Sequence, residues 1–210
     1  MNASEQIAVP RELQSLVEAE LRPGERITWM EQPIARLLAR ATWPIVLFGI
    51  PWTAFALFWT AGAAWGTTKM KDGPGLFSVF PLFGLPFILI GVGMLSSPYW
   101  ARRKARGSVY VLTDRRAILF TAGWRGSMTV RSFEPERLND LRRNQHSDGS
   151  GDLVFAQDIH RDSDGDRRST DVGFMAIREV KQVEEMVRTL ARKVESAAPG
   201  DTPEPPRIER

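Results

Sequence analysis

The sequence predicts an α+β protein in which a sheet domain with a C-terminal helix is carried on a two-helix transmembrane hairpin, and three observations lead to it. A quarter of the 210 residues are charged, yet none lies from Ala41 to Thr68 and none from Gly73 to Ala101. Charge-free runs of that length are long enough to cross a hydrocarbon core. After the second run the pattern changes to short β-rich segments broken by glycine and aspartate, and then to one amphipathic helix. The overall figures, 43% hydrophobic and a mean hydropathy of −0.23, average over this division and resemble those of an ordinary soluble chain.

The first twenty residues carry glutamates and a helical rather than continuous apolar pattern, so they do not read as a signal peptide. Pro10 to Leu21 places Leu13, Leu16, Val17 and Leu21 on one helical face, with Pro10 suited to a first turn and Gly24 beyond the end. The segment ERITWM then alternates as a short strand, with Ile27, Trp29 and Glu31 on one side. A lone strand is unstable, so this one is expected to pair with the strands that follow the membrane segment. In the first span Trp43 and Trp65 stand 22 positions apart, roughly 33 Å of helix, which matches indoles at two interfaces. The second span begins with Phe77 and Phe80 and ends in Tyr99 and Trp100. A short loop, Thr67 to Gly75, joins them. Pro44, Pro51, Pro81, Pro86 and Pro98 are potential kink sites, and Gly62 with Gly66 forms a small-residue face expected to pack in the hairpin, the alternative being a partner subunit.

Arg36, Arg40, Arg102, Arg103, Lys104 and Arg106 flank the outer ends of the spans, against Lys69 and Lys71 in the loop. Basic residues are retained on the cytoplasmic side, so both termini are expected there. Beyond the spans, segments 108–113, 116–121, 127–133, 138–144, 152–158 and 170–177 read as six strands. Val180, Val183, Met186, Val187, Leu190 and Val194 then share one face of a helix that needs a sheet to cover. The expected organisation is residues 1–36 as an N-terminal helix and first strand, 37–101 as the hairpin with spans at about 41–66 and 75–100, 102–195 as the cytoplasmic domain, and 196–210 as a Pro-rich disordered tail.

Composition excludes many activities. With no cysteine there is no thiol nucleophile, disulfide or Cys-ligated metal site, and two histidines leave little for proton chemistry. No ionisable residue lies within either span, which disfavours a pump or channel, and no nucleic-acid motif or phosphate-binding glycine fingerprint is present. The formal charge of +3 is unevenly spread, with +6 concentrated in residues 101–125. Arg102, Arg103, Lys104, Arg106, Arg115 and Arg116 are therefore the phosphate or lipid head-group candidates, because guanidinium forks grip phosphate bidentately and cations near a bilayer attract anionic lipid. The competing explanation for the flanking residues is orientation alone, and for Arg115 and Arg116 a structural turn with solvated or paired arginines. Thr113 and Asp114 suit that turn, since their side chains accept from nearby backbone N–H groups. Asp162, Asp164 and Asp166 alternate as in a calcium loop, but Gly165 and Val172 stand at the wrong positions, which favours a polar hairpin tip and no metal site. His146 and His160, near Ser150 and Asp158, lack the spacing of a catalytic set.

The runs LRPGERITWMEQP, YVLTDRRAILF, GSGDLVF and GFMAIREVKQVEEMV together resemble the bacterial membrane-associated pleckstrin-homology (PH) proteins over about residues 20–192, most specifically at YVLTDRRA. The resemblance implies a PH-like, partly open seven-stranded barrel plugged by the C-terminal helix, no enzymatic chemistry and no cofactor. Together with the two spans and the basic flanks, which predict a multi-pass protein of the bacterial inner membrane near membrane lipids, it leads to the expectation of a binding module in protein interaction or complex assembly with a membrane-protein partner. The alternatives are a structural accessory subunit of a membrane complex and a membrane-bound metal-dependent hydrolase using the aspartate loop.

Overall fold

The computed structural model describes residues 9–68, 82–123, 126–138, 140–161 and 167–197. The chain is mixed α and β and divides into two compact units, a discontinuous one of Met1–Pro33 with Gly107–Arg210 and a helical one of Ile34–Arg106.

In the discontinuous unit, helix α1 (Arg11–Glu20) precedes strand β1 (Ile27–Glu31). Strands β2 (Val109–Thr113), β3 (Ala117–Ala122), β4 (Met128–Phe133), β5 (Arg142–Gln145), β6 (Gly151–Arg161) and β7 (Arg167–Ile177) follow, and then helix α5 (Val180–Ala197). They build two open antiparallel sheets, ordered β1-β2-β3-β4 and β5-β6-β7. The strand before the helical unit pairs with the first strand after it, Met30 opposite Val111 and Glu31 opposite Tyr110, as the orphan-strand argument requires. Expected strand 138–144 pairs only over its later part, as β5, while Leu138 is fully buried directly after a short 3-10 turn at Pro135–Arg137.

Strands β2 and β3 are apolar on both faces because both faces are covered. Tyr110, Leu112, Ala117 and Leu119 join the main core with Phe155, Phe174 and the α5 residues Val180, Val183, Val187 and Leu190, with Met186 packed against it. The Val194 side chain lies outside the described part. Val109, Val111, Ile118 and Phe120 form a second layer with Val9, Leu13 and Val17 of the α1 region. Leu16, expected on the buried face of α1, is 47% exposed. Phe174 centres the main core, its ring 5.1 Å from Trp29, 5.3 Å from Tyr110 and 4.7 Å from Phe155, and so links both sheets. Ile27 does not share the buried face of Trp29: the register shifts between them, a bulge that turns Ile27 outward at 38% exposure.

The helical unit consists of α2 (Ala35–Arg40), α3 (Trp43–Thr68) and α4 (Leu85–Arg106). Two of its helical stretches, Ala35–Thr67 and Leu82–Arg106, are long and apolar enough to cross a membrane. α4 continues past Ala101, so the basic residues assigned to the start of the cytoplasmic domain belong to this helix, Arg103, Lys104 and Arg106 in its last turn. Phe77, Phe80, Pro81 and the Lys69–Gly75 loop lie outside the described residues. Pro44 and Pro86 fall in first turns, where no N–H is needed, while Pro51 and Pro98 are interior. α3 and α4 pack antiparallel through Gly49 against Met94, Gly91 against Thr53 and Gly84 against Thr60. An added Cβ at any of these glycines would meet that neighbour at 2.9 Å or less. No described atom lies within 4 Å of a Cβ built at Gly62 or Gly66, and residues 69–81, which follow this end of α3, lie outside the described part. The threonine hydroxyls at the close approaches bond back to their own helix, Thr53 Oγ1 to Gly49 O and Thr60 Oγ1 to Ala56 O.

Candidate functional site

The six candidate cations fall into two sets, Arg115 and Arg116 in the sheet unit and Arg102, Arg103, Lys104 and Arg106 in the helical unit. The TDRR segment makes the turn of the β2–β3 hairpin, in which the Thr113 N–H donates to Arg116 O across Asp114 and Arg115. Thr113 Oγ1 accepts from the N–H groups of Arg115 at 3.1 Å and Arg116 at 2.9 Å, and donates to Glu25 Oε1 at 2.8 Å. Asp114 Oδ1 accepts from the Arg26 N–H at 2.9 Å, closing the turn onto the segment that enters β1.

Arg116 is not a surface phosphate ligand. It is 4% exposed and its guanidinium is engaged on three sides: Nε donates to Glu25 Oε1 at 3.0 Å, Nη2 to Glu25 Oε2 at 3.1 Å and Glu20 O at 2.9 Å, and Nη1 to Ser132 Oγ at 3.1 Å. The bidentate geometry that suits phosphate is satisfied here by a carboxylate of the same chain. Glu25 is 7% exposed. Burial pushes its carboxyl up, but hydrogen bonds from Arg116, the Arg22 N–H and Thr113 outweigh that and hold it at about 2. The same pairing raises the Arg116 guanidinium further above its already high value. Arg115 is exposed.

Sequence reasoning did not identify Glu25 as the arginine's partner, since nothing local marks one glutamate among six in the N-terminal segment. Two further cross-ties were missed for the same reason. Arg131 holds Asp158 bidentately at 2.5 and 3.0 Å, joining β4 to β6. Arg178 Nη1 meets Glu31 Oε1 at 2.5 Å, tying β1 to the segment after β7, and burial raises the Glu31 carboxyl despite that partner.

Among the described residues the remaining candidates show no assembled chemistry. His146 is exposed at the edge of a tight turn in which its N–H donates to Ser150 O, and Ser150 Oγ donates to Asp148. No hydrogen bond links the imidazole to that serine among the described residues. Burial pushes the Tyr110 phenol up to about 12, which keeps it neutral. Asp162, Asp164 and Asp166 lie outside the described residues, as does the His160 side chain. Among the described residues no group of three or more His, Asp or Glu is placed to hold a metal.

The helical unit presents two features. One is a cavity of about 360 Å³ lined by Trp52, Phe55, Ala56, Trp59, Phe83, Gly84 and Phe87. Its described wall carries no hydroxyl or charge, which suits an apolar group. The other is the basic end. α2 packs on α4, and each helix buries one alanine near its end, Ala39 and Ala105. Arg36, Arg40, Arg102, Arg103, Lys104 and Arg106 are exposed on these same two helices. The described residues of the unit include no aspartate or glutamate at all.

Searches against protein-family models, curated proteins and solved structures returned no match.

Proposed function

We propose that this chain is a non-enzymatic, inner-membrane-anchored binding module of PH-like type that mediates protein interaction or complex assembly at the cytoplasmic surface. One observation carries the reading. The helical unit leaves the sheet after β1 and returns at β2, two hydrogen-bonded neighbours in which Glu31 stands opposite Tyr110. An insert whose two ends begin and finish at paired residues must cross a bilayer an even number of times, and two helices of spanning length fulfil that. Both chain ends then lie on one side, and the six-to-two excess of basic residues at the outer ends assigns that side to the cytoplasm.

The PH-like description rests on seven strands in antiparallel sheets of four and three with a C-terminal amphipathic helix in the core, together with the sequence resemblance. The side chains of α3 and α4 support the anchoring: Trp43, Phe48, Phe55, Phe58, Leu89 and Trp100 are all exposed, an arrangement suited to lipid and costly in water.

The test is copurification of the full chain from membranes in mild detergent, together with reporter fusions after Arg210 and within the Lys69–Gly75 loop. The expected results are a substoichiometric membrane-protein partner, an active cytoplasmic reporter at Arg210 and an external one in the loop. A fixed stoichiometry in one complex would make the chain an accessory subunit. An external Arg210 reporter would overturn the topology, and an activity abolished by Asp164→Ala would favour the hydrolase reading.

A further inference from the structure

The geometry points to the basic end of the helical unit as a binding site for anionic phospholipid head groups, formed jointly by α2 and the C-terminal end of α4 from Arg102 onward. This deepens the membrane reading above and rests on it. Arg36 and Arg40 are four residues apart on α2, as are Arg102 and Arg106 on α4, so each helix stacks like charges at the spacing where they repel. Packing α2 on α4 brings the two sets onto one end of the unit. A protein surface usually relieves such crowding with interspersed carboxylates, but the described part of this unit contains none. Arg36, Arg40, Arg102 and Arg103 are exposed and make no side-chain hydrogen bond or ion pair with the described residues.

Helix polarity accounts for only part of the arrangement. Arg40, Arg103, Lys104 and Arg106 sit in last turns, where the negative end of the helix favours cations. Arg36 sits in the first turn of α2, where that field is unfavourable. An external anion lying across both helices satisfies Arg36 and Arg40 together with Arg102 and Arg103. The charge-free stretch begins within one residue of Arg40 and ends within one residue of Arg102. The cations therefore stand at the depth where apolar chain gives way to polar surface, which is the depth of lipid phosphate. Arginine forks bind that group through two oxygens at once.

The experiment uses detergent-purified full chain and follows its melting temperature during titration with short-chain phosphatidylglycerol, short-chain phosphatidylcholine or inorganic phosphate. The expected result is a saturable rise with phosphatidylglycerol alone, weakened by added salt. The triple variant Arg36→Gln/Arg102→Gln/Arg103→Gln should need about a hundredfold more phosphatidylglycerol, taking each cation near anionic lipid as worth roughly fivefold in binding. The corresponding triple lysine variant, which keeps the charge, should retain most of the response. An equal rise with phosphatidylcholine, or an unchanged titration in the glutamine variant, would overturn the inference, and a response to inorganic phosphate alone would overturn its assignment to lipid. Loss of this response with partner copurification intact would reject the lipid site only, and the converse would reject only the partner reading.

Discussion

Replacing Arg116 by methionine removes the guanidinium while keeping an unbranched side chain of similar reach. Four hydrogen bonds disappear, two to Glu25 and one each to Glu20 O and Ser132 Oγ. The Glu25 carboxylate, whose side chain is 0% exposed, keeps only the Arg22 N–H and the Thr113 hydroxyl. Breaking a buried pair by removing one partner costs about 3–5 kcal/mol, because the other charge remains without compensation. A second route gives a similar figure. Glu25 is lowered from 4.5 to about 2, which at 1.36 kcal/mol per unit corresponds to roughly 3 kcal/mol of native-state preference for the carboxylate. Because the folded value is the lower one, that stability is present above pH 4.5 and is lost as pH falls toward 2. Urea pulse proteolysis of the full chain in detergent measures the change. Arg116→Met should lower stability by about 3–5 kcal/mol near neutral pH and abolish this acid-dependent contribution, and Glu25→Leu/Arg116→Met should recover most of the loss. A single variant within about 0.5 kcal/mol of wild type, the range of ordinary surface changes, would show that the arginine is not a buried partner and would restore it as a surface ligand.

Three further outcomes are expected. Phe174→Ala, which removes a ring with no exposed surface contacting both sheets, should cost about 3–5 kcal/mol and lower the sheet unit's melting temperature accordingly. Deleting residues 1–31 removes β1 and uncovers Val109, Val111, Ile118 and Phe120; limited proteolysis should then cut the region after Gly107, and unchanged resistance would contradict the shared sheet. Gly91→Leu should separate α3 from α4 at Thr53, read as a loss of hydrogen-exchange protection in α3, and unchanged protection would contradict the close approach.

Patterns with a short period are legible along the chain itself. The two charge-free runs, the continuous apolar character of VYVL and AILF, and the α5 face at Val180, Val183, Val187 and Leu190 each follow from neighbours or from a repeat of two to four residues, which the sequence displays directly. The need of β1 for a distant partner is legible too, because an isolated strand cannot persist. The identity of contacts between remote segments is not. Glu25 and Arg116 stand 91 positions apart, and only the antiparallel register of β1 on β2 brings the loop before one strand to the turn after the other. Without that register Arg116 is one of two adjacent arginines with equal claim to the surface; with it, one is buried and the other exposed. The bulge between Ile27 and Trp29, and the close approach of Gly49, Gly84 and Gly91 to Met94, Thr60 and Thr53, are decided the same way. Sequence alone thus determined which segments are apolar, which are strands or helices and where charge concentrates, since these depend on neighbours along the chain. Tertiary structure decided which charges neutralise one another and which remain for an outside partner, since electrostatic and packing energies depend on distances in space that no local pattern records.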